Sequence, residues 1–137
     1  FISAAAISDY KPSDPLTEKH KSADGDLNIK LVRGEDILKK AKLKNKNMFA
    51  VGFSAETKNI EENAKAKLVS KNIDMIIANE ANHQKGLGFE SDYNQVVIIN
   101  ESETTMIPLN SKKELAKIII DKIVSIYKKN LLKIKNA

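Results

Sequence analysis

Residues 48–78 read MFAVGFSAETKNIEENAKAKLVSKNIDMIIA, and this stretch decides the fold. Its two ends, residues 48–54 and 73–78, are short apolar runs typical of buried strands. Between them, residues 59–71 predict a helix, with Glu62 placed to cap its first residue. A strand, a helix and a second strand in this order indicate two parallel strands joined by a helical crossover.

The same alternation continues on both sides of this unit. Upstream, the predicted elements are a buried strand at 1–7, a long loop at 9–26, a half-exposed strand at 27–33 and a short helix at 35–42 with two acids in its first turn. Downstream, they are a polar loop at 79–94, a hairpin of residues 95–100 and 104–109, and a final helix after Ser111. Together they predict an α/β fold: a mainly parallel sheet with flanking helices and an antiparallel hairpin near the C-terminus.

Two of the predicted helices carry apolar stripes that identify their buried faces. The stripe of the central helix is Ile60, Ala64 and Leu68, and that of the final helix is Leu115, Ile119, Ile123 and Ile126. Ser111 and Glu114 form a capping box at the start of the final helix. We expect the basic tail from Lys128 to fray.

The composition narrows the class of protein. The chain has 137 residues, which suits one domain, and the 42% of hydrophobic residues include few aromatics, which suits an aliphatic core. Lysine and arginine total 23 against 18 acids, and Arg33 is the one arginine. This lysine-rich balance favours anionic ligands in general and gives only weak support to sequence-specific nucleic-acid binding, where arginine reads most bases. The lack of cysteine excludes disulfides and is compatible with a cytoplasmic location. No apolar run approaches the roughly 18 residues of a membrane span, so we expect no membrane partner.

The sequence begins abruptly, because Phe1 already lies inside a strand-like run. It also has no Gly-rich phosphate loop of the kind that follows the first strand of a doubly wound fold. We therefore interpret residues 1–137 as a single domain that forms the C-terminal part of a larger one.

The segment after the first predicted strand carries the first candidate site. Residues 3–6 are small and let a ligand approach the backbone, and Asp9 follows them. The loop then delivers Lys19 within a cluster of lysines. Lys19 is suited to neutralising a triphosphate, and Asp9 to holding a ribose or a Mg²⁺-linked group. A solvated charged loop explains the same residues.

Three more candidates lie at the ends of elements. Residues 52–57 lie at and beyond the end of the buried strand predicted at 48–54, where ligands of open α/β sheets bind. Their small residues beside Phe53 offer a surface to a flat ring or a sugar; an ordinary strand-to-helix turn is the alternative. Lys67 and Lys71 lie four apart and repel each other until an anion relieves them; a solvated helix face is the alternative. At residues 34–37, free N–H groups of a helix start can bind an acceptor, or the acids there only complement the helix dipole.

Other chemistry finds no support in the sequence. His20 and His83 have no neighbouring ligands at metal spacing, so we predict no zinc site. The nucleophile elbow, the HExxH motif and the Walker lysine are all missing.

Six segments, taken in order, resemble the synthetase half of the bacterial phosphopantothenoylcysteine synthetase/decarboxylase family of coenzyme A biosynthesis. They are AAAISDY (4–10), EKHK (18–21), IKLVRGEDIL (29–38), VGFSAET (51–57), AKLVSKNIDMIIAN (66–79) and GFESDYN (88–94). Each segment is weak alone, whereas the ordered set is specific.

The resemblance implies a Rossmann-like α/β ligase that works as a homodimer. Such an enzyme uses CTP and Mg²⁺ to activate the carboxylate of 4′-phosphopantothenate as an acyl-cytidylate, and L-cysteine then displaces CMP to form an amide. A flavin-dependent decarboxylase domain, fused or associated, is the further partner that the resemblance implies.

By the same resemblance, residues of five of these segments, with Ser3 just before the first, contact the nucleotide. The CTP contacts are Ser3, Ala4, Ala5, Asp9, Lys19, Glu35, Asp36, Ile37, Leu38, Phe53, Lys67 and Lys71. Within this set Lys19 is the catalytic lysine of a mobile loop, Asp9 is the residue near Mg²⁺, and residues 35–38 present backbone groups to the cytosine edge. Residues 27–33 lie where the family forms its dimer.

The chain departs from the family pattern in places. Ser22 stands where the family loop has a third lysine, and Gly34 and Glu35 replace Asn and Pro. The family's N-terminal Gly-rich segment is not in this sequence, so we expect an incomplete catalytic site in the chain alone. The alternative is a non-catalytic nucleotide-binding or dimerisation module on the same scaffold. A basic nucleic-acid-binding domain is a third possibility that no motif supports.

Overall fold

The computed structural model describes residues 1–21, 25–81 and 91–135. The elements within them are β1 (Ile2–Ser3), β2 (Tyr10–Pro12), β3 (Leu31–Arg33), α1 (Ile37–Lys44), β4 (Val51–Glu56), α2 (Ile60–Lys71), β5 (Met75–Glu80), β6 (Tyr93–Asn100), β7 (Thr104–Ser111) and α3 (Lys112–Lys135). No helix in these ranges is long and apolar enough to cross a membrane.

The main sheet has five strands in the order β1-β4-β5-β6-β7. β1, β4 and β5 pair in parallel, and β6 is antiparallel to both β5 and β7. It follows that β7 points the same way as β5, so four of the five strands share a direction. The predicted α/β fold, with its mainly parallel sheet and its hairpin, is confirmed. β2 and β3 form a separate antiparallel ribbon.

Two apolar clusters cover the two faces of the sheet, because successive residues of a strand point to opposite sides. Met75 and Ile77 pack into one cluster with the stripe of α3, and Ile76 and Ala78 pack into the other with Leu68 of α2. Both predicted stripes are therefore confirmed, although Ile60 is only partly buried. The sheet is held between α3 on one face and α1 with α2 on the other.

Helix starts follow the capping predictions in part in one case and contradict them in another. At α3 the backbone N–H of Glu114 donates to Ser111 Oγ over 3.2 Å, so the Ser111 half of the predicted capping box is confirmed. The other half is not formed, because the Ser111 N–H donates to Asn110 Oδ1 and the Glu114 carboxylate pairs with Lys117. At α2 the predicted role of Glu62 is wrong, because Asn59 has a left-handed backbone with φ of 48° and makes no side-chain cap. Asn63 Nδ2 instead donates to the carbonyl of Lys58, over 2.9 Å.

Two helix boundaries also differ from the prediction. α1 begins at Ile37 because the side chain of Asp36 caps it by accepting the N–H of Lys39, so the two acids precede the helix instead of lying in its first turn. The tail from Lys128, which was expected to fray, is helical as far as Lys135 in the structure. Just before this segment, the ring of Tyr127 makes an edge contact with the ring of Phe49.

The N-terminal third departs most from the sequence prediction. Residues 1–7 form a strand only at Ile2–Ser3, because the chain then diverges from β4. The predicted loop at 9–26 contains β2, whose Pro12 is tolerated since a two-stranded ribbon consists of edge strands alone. Of the strand predicted at 27–33, only Leu31–Arg33 pairs, and it is exposed throughout.

Smaller shifts affect the central strands. β4 and β5 extend two residues further toward the C-terminus than predicted, to Glu56 and Glu80. The loop predicted at 79–94 therefore loses residues at both ends to β5 and β6. Its middle, residues 82–90 with His83, lies outside the described residues.

Candidate functional site

A cavity of about 600 Å³ opens at the carboxyl ends of β1 and β4. Its floor includes Ser3 and Gly52, which are paired in the sheet, and it widens where the chain after β1 diverges from β4. The start of α1 and the last turns of α2 form its walls. This is where ligands bind in open α/β sheets, because strand ends and helix starts face the same opening.

The structure brings most of the predicted site residues to this one cavity. The predicted residues that line it are Ser3, Ala5, Asp9, Glu35, Asp36, Ile37, Leu38, Phe53, Lys67 and Lys71. Ala4 and Lys19 are not part of its wall, and Lys19 is exposed on the chain between β2 and β3. The roles assigned to these residues remain predictions.

Three further polar residues line the cavity that the sequence did not single out as a site, namely Ser8, Arg33 and Lys39. Arg33 ends β3, and Lys39 lies in the first turn of α1. Neither has an ion pair with another residue in the described ranges. The sequence offered one indication of Arg33 as a site residue, namely that it is the one arginine in the chain.

Lys67 is held by a polar cluster at the end of β4. Its Nζ donates to Glu56 Oε1 over 2.5 Å and to Ser54 Oγ over 2.9 Å. Ser54 Oγ also donates to Glu56, and Asn63 Nδ2 donates to Glu56 Oε2. Burial alone raises the pKa of the Glu56 carboxyl, but the hydrogen bonds from Lys67 and Ser54 outweigh it, so the net pKa is lowered. Glu56 is therefore ionised at neutral pH.

Lys71 has a carboxylate partner of its own, since its Nζ lies 2.7 Å from Asp36 Oδ2. Asp36 Oδ1 at the same time accepts the N–H of Lys39, over 3.0 Å. Burial raises the pKa of the Asp36 carboxyl, while the Lys39 N–H and the Lys71 ammonium lower it by more. The mutual repulsion of Lys67 and Lys71 is thus already balanced by two separate acids.

The start of α1 presents unused hydrogen-bond donors to the cavity. Asp36 satisfies the N–H of Lys39 with its side chain and that of Lys40 with its carbonyl. Within the described residues, the N–H groups of Ile37 and Leu38 have no acceptor. These two donors can recognise a ligand through its acceptor atoms without any side chain.

Asp9 is the acid of the cavity without an internal partner. Its carbonyl accepts the N–H of Gly34, over 2.8 Å, but its carboxylate makes no ion pair in the ranges that the structure covers. These ranges contain no group of three acids or histidines able to hold a metal by themselves. One carboxylate fits Mg²⁺ only as part of a shell completed by phosphate oxygens and water.

Comparison with known proteins identifies a family and several curated relatives. The family model described as "DNA/pantothenate metabolism flavoprotein C-terminal domain" matches residues 1–127. The curated coenzyme A biosynthesis bifunctional protein CoaBC of Escherichia coli K12 is 39% identical over 131 residues, which are 93% of this chain and 32% of that protein. The chain thus spans about a third of the length of the curated relatives it matches.

Solved structures share the fold. The crystal structure of the C-terminal domain of a CoaBC protein matches with a TM-score of 0.70 and 32% identity, covering 93% of this chain and 54% of that one. A Cab2 variant in complex with phosphopantothenate-cysteine also has a TM-score of 0.70, over 96% of this chain and 45% of that one. At 19% identity the second match speaks for the fold alone.

Proposed function

The chain belongs to the DNA/pantothenate metabolism flavoprotein C-terminal domain family, and from this premise we propose that it provides the nucleotide site of a CTP-dependent phosphopantothenate–cysteine ligase. The reaction activates the carboxylate of 4′-phosphopantothenate with CTP, releases pyrophosphate and leaves an acyl-cytidylate. The amine of L-cysteine then attacks the acyl carbon and displaces CMP. Since such a reaction draws on the cytoplasmic nucleotide pool, we take the cytoplasm as its compartment.

One observation carries the proposal: the cavity gathers a helix start, an aromatic ring and two lysines at the strand ends. The free N–H groups of Ile37 and Leu38 suit the acceptor atoms of a cytosine edge, and Phe53 suits its flat face. Lys67 and Lys71 line the same cavity from α2, with Lys71 beside the start of α1 through its ion pair with Asp36. The name of the curated relatives, coenzyme A biosynthesis bifunctional protein, supports a reaction of that pathway.

Charge stabilisation is the main demand of the activation step, because negative charge moves onto the leaving pyrophosphate. Arg33 and Lys39, which have no carboxylate partner in the described ranges, are the cavity cations best placed to supply it. We keep Lys19 as the predicted catalytic lysine, acting from outside the cavity wall. Mg²⁺ would supply further positive charge on the phosphates, with Asp9 as its protein ligand.

The whole relatives are named as bifunctional, and this chain corresponds to about a third of their length. We therefore propose that this ligase works beside a flavin-dependent decarboxylase domain, fused or associated. We propose separately that the ligase is a homodimer. The part of the function that this chain can show by itself is nucleotide binding.

Isothermal titration of the full chain with CTP and with ATP, both with Mg²⁺, tests the proposal. We expect CTP to bind at least about tenfold more tightly, because backbone donors at the base edge select between the two ring systems. Equal affinity for the two nucleotides, or no binding of either, would contradict it. The double variant Lys39→Gln with Arg33→Gln is expected to bind CTP more weakly while it keeps the preference over ATP.

A further inference from the structure

Glu56 lies behind the cavity wall and does not line it, yet it is the centre of the cluster that holds Lys67. Its side chain is only 11% exposed, whereas that of Lys67 is 44% exposed. The carboxylate accepts from Ser54 on its own strand and from Asn63 and Lys67 on α2, so three donors from two elements fix its position. A carboxylate so held is a fixed support for the ammonium in front of it.

The ammonium of Lys67 keeps a donor for a ligand. A lysine has three N–H donors, and two of these are used by Glu56 and Ser54. The third is left for an acceptor in the cavity, so a ligand can bind without breaking the ion pair. The cluster therefore orients the Lys67 ammonium and leaves it able to bind a ligand.

This orientation changes what Lys67 contributes to binding. A free lysine on a surface loses the rotational freedom of its four-carbon chain when it grips a ligand. Lys67 has lost that freedom before the ligand arrives, which favours binding. Because the ammonium and the carboxylate nearly cancel in charge, Lys67 acts as a placed hydrogen-bond donor more than as a net positive charge.

We propose that Glu56 is a positioning residue of the nucleotide site, acting through Lys67, a role that rests on the proposed CTP binding. Two interpretations of the Glu56–Lys67 pair predict opposite changes in CTP affinity when Glu56 is removed. If Glu56 positions Lys67, its removal weakens CTP binding. If Glu56 only neutralises Lys67, its removal adds positive charge to the cavity and tightens the binding of a triphosphate.

Titration with Mg²⁺-CTP of the full chain and of the variants Glu56→Gln, Lys67→Met and the double variant tests the role. We expect Glu56→Gln to raise the Kd about tenfold, the size of one charge-assisted hydrogen bond. The double variant is expected to bind as Lys67→Met does, because Glu56 acts only through Lys67. Losses that multiply in the double variant, or an unchanged or lower Kd in Glu56→Gln, would overturn the proposal.

Glu61→Gln is the matched control, since Glu61 pairs with Lys65 on the same helix, at 2.5 Å, and neither residue lines the cavity. Its Kd for CTP is expected to equal that of the unaltered chain. A change in Glu61→Gln as large as that in Glu56→Gln would count against a specific role.

A readout without nucleotide separates this proposal from the proposed function. In ¹⁵N spectra of lysine ammonium groups, we expect a resolved Lys67 signal in the unaltered chain and in Glu61→Gln, and its loss in Glu56→Gln. If the unaltered chain binds no CTP, the proposed function fails, and the Lys67 signal still decides whether Glu56 orients Lys67. A signal that persists in Glu56→Gln would overturn the positioning role.

Discussion

Lys42 is a charged side chain placed in the core, and its partners decide whether the fold tolerates it. Its side chain is 9% exposed, and its Nζ donates to Asp74 Oδ2 over 2.7 Å and to the carbonyl of Met48. Asp74 Oδ2 also accepts the N–H of Ala50, over 2.8 Å. The pair thus ties α1 to the beginnings of β4 and β5, below the cavity.

We expect Lys42→Met to lower the free energy of unfolding by about 3 kcal/mol, because it leaves the Asp74 carboxylate without its cation in a largely buried place. Urea unfolding followed by circular dichroism measures this. Lys65→Met is the control: the Lys65–Glu61 pair is half exposed on both sides, so its loss is expected to cost no more than about 0.5 kcal/mol. Equal losses of stability from the two substitutions would show that the Lys42–Asp74 pair contributes no more to the free energy of unfolding than an exposed pair.

The carboxyl of Glu56 makes stability depend on pH in a defined direction. Its folded pKa is lowered from an ordinary value of 4.5, and a lowered pKa means that the unfolded chain binds the proton more readily. The stabilisation is therefore present above about pH 4.5 and is lost as the pH falls through the lower folded value. Asp36, whose pKa is also lowered, acts in the same direction from its ordinary value of 3.8.

The expected outcome is that Glu56→Gln loses less stability than the unaltered chain between about pH 6 and about pH 3, since it lacks the titrating group. Urea unfolding at a series of pH values gives the two curves. Glu101→Gln, which removes an exposed acid without an ion pair in the described ranges, serves as the control and is expected to follow the unaltered chain. Parallel curves for all three proteins would contradict the assignment.

Among the elements, β4 and α1 approach each other closely at Gly52. A Cβ on Gly52 would lie 2.9 Å from Leu38 Cδ2 and 2.9 Å from Ile73 Cδ1, both of which belong to buried side chains. The absence of a side chain at Gly52 therefore sets how near the start of α1 lies to the sheet, and with it the depth of the cavity.

Gly52→Ala is expected to lower the free energy of unfolding by about 1–3 kcal/mol, because Leu38 and Ile73 have to shift in a packed core. Gly34→Ala is the matched control, since Gly34 also lines the cavity but its added Cβ would find its nearest atom at 3.6 Å, an ordinary contact. Urea unfolding of both variants decides. A Gly52 variant as stable as the Gly34 variant would show that α1 adjusts freely.

How far the elements could be predicted depended on what fixes each of them. Residues 48–78 were predictable because burial fixes them, and burial leaves a hydrophobic pattern in the sequence. Helix boundaries were predicted wrongly where a single hydrogen bond sets the first residue. At α1 the side-chain cap of Asp36 makes the helix begin two residues later than the sequence pattern predicted. β2 was missed because Tyr10–Pro12 pairs only with a distant strand and buries nothing.

The site was predictable as a set of residues and not as a set of contacts. The resemblance named residues that line one cavity, but nothing in the sequence pairs Lys67 with Glu56 or Lys71 with Asp36. Those pairs join separate elements and arise only when β4, α1 and α2 pack. The charge available to a ligand therefore differs from the sequence expectation, which placed two uncompensated lysines there.

At the scale of the whole molecule, the ribbon of β2 and β3 is exposed and is not part of the main sheet. It is a two-stranded sheet apart from the main one, and all residues of both strands are exposed. Tyr10, Leu31 and Val32 are large apolar side chains among them. Because an isolated two-stranded ribbon is marginal in water, we expect this surface to pack against a second copy of the chain.

Sedimentation velocity tests this expectation. We expect the unaltered chain to be a dimer at micromolar concentration and Leu31→Asp to be a monomer, since a charge in the centre of an apolar contact loses its hydration without gaining a partner. Val69→Asp is the control, because Val69 is even more exposed but lies on α2, away from the ribbon, and it is expected to remain dimeric. If the unaltered chain is still a monomer at about 100 μM, the proposed homodimer is wrong. If both variants are monomers, the dimer contact does not depend specifically on β2 and β3.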